Sequence, residues 1–367
     1  MFRLSNLLKS TLEGKSARSL NGSILIWNFT NRCNLSCLHC YSKASLDSSD
    51  VLSTEKIMDT IPKLKKGGIK FVIFSGGEPL TRRDIFEIAE AFKREGIFTY
   101  LSTNGLYIHQ SNVKKIIDTF GYIGISIDGD REVHDRFRGL VGSYDMSLKA
   151  IDLIHENGGK VGIRFTITKE TLKSLPHIFE LAESKNIDKI YISHLVYSGR
   201  GLDNLKMDLS KDERKEAVDF IINKAFKYYE EGRDIDIVTG NMEMDAIVFL
   251  NEFAKKYPDK ASILEEKLKK WGGNSAGRNL VNINSEGDVK PDPFFPVKIG
   301  NIFERDFDEI WLDNSNELLR RLREHPRKLE GKCKDCEYLE ICNGGSRPRA
   351  WAITGDLWQE DPSCYIK

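Results

Sequence analysis

The chain has 367 residues, of which 40% are hydrophobic and 30% are charged, a composition typical of a globular protein with one large and one smaller domain. Lysine and arginine (55 residues) balance aspartate and glutamate (55 residues), which argues against a broad nucleic-acid-binding surface. No stretch approaches the roughly 18 apolar residues that a membrane span needs.

The N-terminal segment, residues 1–22, begins with a stretch that contains lysine and arginine but lacks the apolar run and cleavage site of a signal peptide. Residues 1–12 therefore predict a short amphipathic helix, and the cytoplasm is the default location. The seven cysteines form two clusters at opposite ends of the chain, an odd number that does not suit a disulfide framework. In a reducing cytoplasm, closely spaced cysteines are typical of metal or iron–sulfur ligands.

Residues 23–202 alternate short β-branched or aromatic runs with stretches of helical spacing. This alternation predicts an α/β fold with a parallel sheet and right-handed crossovers. Six units fit a partial (β/α)6 barrel better than a closed eightfold barrel, and an open doubly wound sheet is the alternative. The predicted strands are 24–29, 70–75, 98–102, 122–127, 160–168 and 189–195, and the predicted helices include 54–66, 83–95, 143–157 and 171–184.

The remainder of the chain predicts two further regions. Residues 203–270 have a mainly helical, highly charged pattern with one possible strand at 235–239. A glycine-rich break at 271–277 marks the predicted start of a small C-terminal domain, residues 271–367. A hairpin is predicted at 279–290 within that domain.

Cys33, Cys37 and Cys40 directly follow the first predicted strand, at the end where α/β barrels build their active sites. Three thiolates spaced C-x3-C-x2-C on one loop can bind three irons of a [4Fe–4S] cluster and leave the fourth iron open. The alternatives are unrelated thiols or a zinc site with His39 as the fourth ligand.

This cysteine spacing, together with motifs at the ends of later predicted strands, resembles the radical S-adenosylmethionine (SAM) superfamily. The resemblance implies that the backbone of Gly76 and Gly77 and the carboxylate of Glu78 hold the amino group of SAM. A plain strand-to-helix turn is the alternative for this glycine motif. Arg138 is implied to pair with the SAM carboxylate, and a solvated surface arginine is the alternative. Contacts with the ribose and methionine parts of SAM are implied for Thr103, Asn104, Ser126 and Asp128.

The resemblance implies a reaction that proceeds through a radical. The open iron would chelate SAM, and one electron would cleave a C–S bond to give methionine and a 5′-deoxyadenosyl radical that abstracts hydrogen from the substrate. The cofactor carries this chemistry, while the protein positions it and excludes water and oxidants. The resemblance also implies a cytoplasmic electron donor such as ferredoxin or flavodoxin.

The second cysteine cluster has the spacing C-x2-C-x5-C-x21-C. Four ligands without a vacancy suit either a structural zinc or a fully ligated [4Fe–4S] cluster, and the spacing alone does not decide between them. The run resembles the C-terminal part of the SPASM extension of radical SAM enzymes. That resemblance implies an outer auxiliary cluster bound by Cys333, Cys336, Cys342 and Cys364.

Polar residues stand where a complete SPASM domain has the cysteines of an inner cluster. These residues are Asn274 or Ser275, Asp292, and Ser346. One auxiliary cluster is therefore expected rather than two. Asp292 remains open as an unusual oxygen ligand.

Further motifs lie at residues 193–201, 272–277, 291–293, 342–345 and 354–365. These segments resemble the radical SAM enzymes that trim siroheme-derived tetrapyrroles. One branch of those enzymes acts in heme d1 synthesis, and the other is the Ahb-type deacetylase that acts on 12,18-didecarboxysiroheme. The resemblance implies an iron tetrapyrrole substrate, but it does not fix whether acetate or propionate side chains are removed.

A flat iron macrocycle with several carboxylates requires an apolar slot, cationic anchors and an axial ligand. His194 follows the sixth predicted strand and is the candidate axial ligand, unless backbone hydrogen bonds satisfy its ring. Arg200, Arg347 and Arg349 are candidate carboxylate anchors, with ordinary surface charge as the alternative.

Two other functions are compatible with parts of this pattern. A peptide-modifying SPASM enzyme often has an N-terminal peptide-clasping domain, for which the early start of the barrel leaves no room. An iron–sulfur electron-transfer or binding protein would not need the motifs at 76–78 and 126–128.

Overall fold

The computed structural model describes residues 1–15 and 22–366, and a ten-stranded sheet organises this part of the chain. Its strands are β1 (Ser23–Thr30), β2 (Ile69–Gly76), β3 (Phe98–Thr103), β4 (Ile123–Ser126), β5 (Val161–Ile167), β6 (Lys189–His194), β7 (Asp236–Gly240), β8 (Leu280–Ile283), β9 (Asp288–Lys290) and β10 (Gly300–Asn301). The strand order is β10-β9-β8-β1-β2-β3-β4-β5-β6-β7.

Strands β1 to β6 are the six predicted strands, and each pairs in parallel with the next one along the chain. This consecutive order excludes the doubly wound alternative, in which the strand order reverses. Within the described residues, β10 and β7 form opposite edges and the sheet does not close into a complete barrel. The prediction of an open α/β barrel is confirmed.

The sheet extends beyond the six predicted units at both edges. Strand β7 is the possible strand predicted at 235–239 within the mainly helical region, and it pairs in parallel with β6. Strand β8 pairs in parallel with β1, placing Ile24 opposite Leu280, and β9 returns antiparallel to β8 as the predicted hairpin. The sheet therefore runs through the predicted boundaries at 202 and 270, and the division into domains stays a prediction.

Helices follow most of the parallel strands, as the sequence pattern predicts. Some of them begin at residues with the expected capping chemistry: the side chain of Ser53 accepts a hydrogen bond from the Lys56 backbone, and Ser210 and Glu213 form a capping box. The helices are α1 (Leu4–Leu12), α2 (Thr54–Lys66), α3 (Ile85–Arg94), α4 (Val113–Thr119), α5 (Arg131–Arg138), α6 (Ser143–Glu156), α7 (Leu175–Ser184), α8 (Gly199–Asp203), α9 (Lys211–Glu230), α10 (Asp245–Lys256), α11 (Ala261–Trp271), α12 (Phe307–Trp311), α13 (Glu317–Arg323), α14 (Leu339–Cys342) and α15 (Arg347–Thr354).

The predicted N-terminal helix is α1, which buries Leu4, Leu7 and Leu8. Before it, Phe2 forms an antiparallel bridge with Thr239 at the edge of β7. The rest of the predicted N-terminal segment, residues 16–21, lies outside the described residues. None of the described helices is both long enough and apolar enough to cross a membrane.

Strand β1 shows how the sheet separates core from cavity. Its alternate residues Leu25, Trp27 and Phe29 are fully buried, and Phe29 stacks on Phe74 of β2 with ring centroids 4.4 Å apart. Burying side chains of this size contributes about 1.5–3 kcal/mol each. Ile26, which points to the opposite face of the sheet, lines the cavity described below.

Candidate active site

A cavity lies where the parallel strands end, as expected for an α/β barrel. Cys33, Cys37 and Cys40 all line it. Burial raises the pKa of Cys33 to about 12, and the charges of the two other cysteines add to this rise. Iron ions would supply the positive charge that favours the thiolate forms. The three thiols therefore fit an iron–sulfur cluster.

The alternative of a single zinc ion at this loop gains no support from the geometry. The described residues contain no group of three or more His, Cys, Asp or Glu side chains arranged to hold one metal ion. Thiolates that each bind a different iron of a cluster do not need to converge on one point. His39 stacks on Phe137 with ring centroids 4.4 Å apart, and burial holds its pKa well below the usual value.

The two glycines of the Gly-Gly-Glu motif bring the end of β2 against the cysteine loop. The backbone N–H of Gly77 donates to the carbonyl of Thr30, and that of Glu78 donates to Arg32, both at 2.8 Å. A Cβ atom on Gly77 would overlap the Arg32 carbonyl oxygen. The absence of a side chain thus permits contact between two backbone segments, and these N–H groups are already paired within the protein.

Glu78 lines the cavity with a carboxylate that three donors hold in place. Its Oε1 accepts from the Thr103 hydroxyl (2.8 Å) and the Leu80 N–H (3.1 Å), while Oε2 accepts from the Asn104 N–H (2.8 Å). Burial nevertheless raises the pKa of Glu78 to about 7. A bound cation or amine would offset that cost. Thr103 thus contributes by orienting Glu78.

The side chain of Asn104 is also engaged within the protein. Its amide donates to Asn34 in the cysteine loop at 2.8 Å, and its carbonyl oxygen accepts from the Leu106 backbone. Ser126, at the end of β4, lines the cavity as expected. The predicted SAM-facing residues therefore lie close together, although several of them form hydrogen bonds with one another.

Asp128 and Arg138 form a buried ion pair. Asp128 is fully buried and does not line the cavity, and its Oδ1 accepts from the Thr166 backbone at 2.7 Å. Arg138 lines the cavity and places one nitrogen 3.7 Å from the Cys37 sulfur. A direct contact between Asp128 and SAM does not fit this arrangement, because the carboxylate is turned toward Arg138.

Arg200 lines the cavity and also forms hydrogen bonds with the cysteine loop. Its backbone N–H donates to Cys40, and its side chain donates to the carbonyls of Cys37 (2.7 Å) and Ala44 (3.2 Å). A Cβ atom on Gly199 would overlap the Tyr41 carbonyl. The Nη2 atom of Arg200 has no hydrogen-bond partner among the described residues, so its role as a carboxylate anchor stays a prediction.

Arg347 and Arg349 are fully buried and have structural partners, so the prediction that they anchor the substrate is wrong. Arg347 donates to the Leu357 carbonyl at 2.8 Å. Arg349 pairs with Asp361 at 2.8 Å and donates to the Asn241 carbonyl at 2.6 Å. Neither side chain lines the cavity.

The four C-terminal cysteines lie close enough for their charges to interact, although Cys364 is distant in sequence. Burial raises the pKa of Cys342 to about 12, and the charges of Cys333, Cys336 and Cys364 contribute to the rise. The backbone N–H of Gly344 points to the Cys342 sulfur at 3.4 Å. These thiols fit a fully ligated auxiliary cluster.

The polar residues at the expected inner-cluster positions have different surroundings. Asp292 is buried, lines the cavity and accepts from the Phe294 N–H at 2.7 Å, and burial raises its pKa to about 7. Asn274 also lines the cavity and donates to Glu243 at 3.1 Å. Ser346 instead caps α15 by accepting from the Arg349 N–H. The cavity therefore includes residues of the C-terminal region.

His194 ends β6, lines the cavity and is 1% exposed. Its Nε2 atom lies 3.1 Å from Oδ2 of Asp245, the first residue of α10. A side-chain carboxylate, rather than the backbone groups considered above, thus engages this ring. The partner lies 51 residues away in sequence, and no local pattern indicated it.

The sequence analysis missed a cation in the cavity. Arg164 on β5 lines it and lies over the ring of Tyr191 on β6, 4.7 Å from the ring centroid. Gly124 on β4 makes room for it, because a Cβ atom there would lie 2.9 Å from the Arg164 side chain. The alternation of inward-facing residues along β5 was the signal that could have identified it.

Comparison with known proteins defines the class. The model of the radical SAM superfamily matches residues 27–182, and that of the SPASM iron–sulfur cluster-binding domain matches residues 275–337. Together with the relatives described next, these matches show that the chain belongs to the radical SAM superfamily. It therefore carries a SAM-binding [4Fe–4S] cluster and an auxiliary iron–sulfur cluster.

Two relatives are similar to this chain over nearly its whole length. Pre-heme d1 synthase of Dinoroseobacter shibae is 37% identical over all of this chain and 92% of that protein. Fe-coproporphyrin III synthase of Methanosarcina barkeri is 37% identical over 94% of this chain and 88% of that protein. The SAM-bound structure of Streptococcus suis SuiB shares the fold, with a TM-score of 0.72, 20% identity, and coverage of 94% of this chain and 77% of SuiB.

Proposed function

We propose that this chain removes or modifies side chains of a siroheme-derived iron tetrapyrrole, such as 12,18-didecarboxysiroheme, in heme or heme d1 biosynthesis. The observation that carries the proposal is one cavity lined both by the cysteine loop and by His194, Arg164 and Phe294. It offers thiols for a cluster, an imidazole, a cation and an aromatic surface in a single space. The names of the two heme-pathway relatives support the same substrate class.

The residues have distinct roles in this proposal. Cys33, Cys37 and Cys40 would hold the SAM-binding cluster, and Glu78 would accept hydrogen bonds from the amino group of SAM. Arg138, oriented by Asp128, would place positive charge beside the cluster. When bound, the cluster and SAM supply the electron and the 5′-deoxyadenosyl radical that abstracts hydrogen from the tetrapyrrole. Cys333, Cys336, Cys342 and Cys364 would hold the auxiliary cluster.

His194 would be an axial ligand of the substrate iron, and Arg164 would bind a substrate carboxylate. A guanidinium and a carboxylate form strong charge-assisted hydrogen bonds. We further propose that the enzyme works in the cytoplasm with a reduced ferredoxin or flavodoxin as electron donor. The seven cysteines, none of which forms a disulfide, are compatible with such a reducing compartment.

The test is anaerobic turnover. Reconstituted protein is incubated with 12,18-didecarboxysiroheme, SAM and a chemical reductant, and the tetrapyrrole masses are measured. We expect the loss of acetate or propionate side chains together with 5′-deoxyadenosine, and neither product with the Cys37→Ser variant. An unaltered tetrapyrrole in the presence of 5′-deoxyadenosine would reject the substrate class.

A further inference from the structure

Three side chains from separate parts of the chain form a buried hydrogen-bonded series that ends at the cavity. Nε2 of His194 lies 3.1 Å from Oδ2 of Asp245, and the hydroxyl of Tyr365 donates to Oδ1 of Asp245 at 2.8 Å. The side chains of His194 and Asp245 are each 1% exposed. Tyr365 directly follows Cys364, so the series connects the auxiliary-cluster region to the cavity.

The arrangement fixes which nitrogen of His194 carries hydrogen. Oδ1 of Asp245 accepts from the Tyr365 hydroxyl, and Oδ2 faces Nε2 of His194. An ionised carboxylate only accepts hydrogen bonds, so Nε2 of His194 must be the donor. The lone pair of a neutral imidazole is then on Nδ1, and that nitrogen remains for a ligand in the cavity.

We propose that Asp245 and Tyr365 are positioning residues that orient His194 to bind the substrate iron through Nδ1 and that set the donor strength of its ring. This inference rests on the proposed tetrapyrrole function. Histidines that bind metals commonly donate their other N–H to a carboxylate, which fixes the ring orientation and raises its basicity. The carboxylate of Asp245 accepts from His194 in this way, and the hydrogen bond from Tyr365 partly neutralises the negative charge of that carboxylate.

The two positioning residues should act on the iron in opposite directions. Asp245→Asn removes the negative charge behind the ring, which weakens the imidazole as a donor and raises the Fe(III)/Fe(II) potential of the bound tetrapyrrole. Tyr365→Phe removes a hydrogen bond to Asp245, which leaves more of the negative charge of the carboxylate facing the ring, strengthens the imidazole as a donor and lowers that potential. A role in folding alone would not produce shifts of opposite sign.

The experiment uses full-length protein with ferric 12,18-didecarboxysiroheme, whose absorption is followed during an anaerobic redox titration. The variants are His194→Ala, Asp245→Asn and Tyr365→Phe. Tyr228→Phe is the matched control, because the buried Tyr228 also donates to a carboxylate, that of Glu183 at 2.7 Å, and lies outside the cavity lining. We expect a spectrum typical of axial imidazole in the wild type and its loss in His194→Ala.

We further expect potential shifts of opposite sign for Asp245→Asn and Tyr365→Phe, and no shift for Tyr228→Phe. If Asp245→Asn does not fold, the Tyr365→Phe variant alone tests the positioning role, and a lower potential in that variant is the expected result. Potentials that shift in the same direction, or do not shift, would overturn the positioning role. An unchanged spectrum in His194→Ala would overturn axial ligation while leaving the tetrapyrrole function intact, whereas failure of the wild-type protein to bind tetrapyrrole would overturn the proposed function itself.

Discussion

The Nε atom of Arg200 donates a hydrogen bond to the backbone carbonyl of Cys37 at 2.7 Å, across 163 residues of sequence. This contact couples the segment after β6 to the loop that carries the SAM-binding cysteines. Three donors of Arg200 act on that loop. The position of the loop therefore depends on a residue that the sequence pattern predicted to bind substrate.

Replacing this clamp should impair the first cluster. Arg200→Lys keeps the charge but cannot reach the Cys37 and Ala44 carbonyls together, and a misplacement of about 1 Å can reduce catalysis by about 100-fold. We expect an altered electron paramagnetic resonance (EPR) signal of the reduced SAM cluster and at least tenfold slower formation of 5′-deoxyadenosine. Arg136→Lys, at an exposed arginine of α5, is the control. Wild-type signal and rate in Arg200→Lys would contradict this role.

The affinity for SAM should depend on the ionisation of Glu78. Because burial raises its pKa to about 7, a growing fraction of this carboxyl is protonated as the pH falls from 8 to 6. The protonated form is a poorer acceptor for the amino group of SAM, so the affinity for SAM should decrease as the pH decreases. Equilibrium dialysis across this range measures the effect.

Two variants test whether Glu78 causes the pH dependence of SAM binding. Glu78→Gln should bind SAM weakly at pH 8 and show little change down to pH 6. Asp292→Asn removes the other cavity carboxyl with a pKa of about 7 and should keep the wild-type profile. If the pH dependence disappears in Asp292→Asn and persists in Glu78→Gln, the assignment to Glu78 is wrong.

The pair formed by Asp128 and Arg138 should matter for stability as well as for SAM binding. Asp128→Asn leaves a buried guanidinium without its counter-charge, and loss of one partner from a buried pair costs about 3–5 kcal/mol. The exposed pair of Lys114 and Asp118 is the comparison, since Asp118→Asn should cost about 0–1 kcal/mol. Urea unfolding followed by circular dichroism gives both values, and equal losses would contradict the structural importance of Asp128.

Arg164 should contribute to tetrapyrrole binding but not to SAM binding. A charge-assisted hydrogen bond contributes about 1.5–3 kcal/mol, so Arg164→Met should weaken tetrapyrrole binding by roughly 10- to 100-fold. Titration followed at the Soret band measures this change. SAM affinity, measured in the same preparation, serves as the internal control, and an unaltered tetrapyrrole affinity would remove Arg164 from the substrate site.

Local sequence patterns predicted the six barrel strands and placed Cys33, Cys37 and Cys40 on the loop after the first strand, where all three line the cavity. This succeeded because strand periodicity and loop position follow from neighbouring residues. The pairing of β8 with β1 was not predictable, since it joins segments more than 250 residues apart. The sequence also did not indicate that Asp245 faces His194 or that Asp361 pairs with Arg349, because no local pattern specifies which side chains meet when loops and helices pack.

The central claim is that hydrogen abstraction from a tetrapyrrole side chain occurs in the cavity shared by Cys33, Cys37, Cys40 and His194. The most direct measurement uses 12,18-didecarboxysiroheme deuterated in its acetate and propionate side chains and on the ring carbons that carry them. After anaerobic turnover, the mass of 5′-deoxyadenosine is determined. We predict that deuterium appears in 5′-deoxyadenosine as the tetrapyrrole loses side-chain mass. Unlabelled 5′-deoxyadenosine accompanied by an unchanged tetrapyrrole would contradict the account.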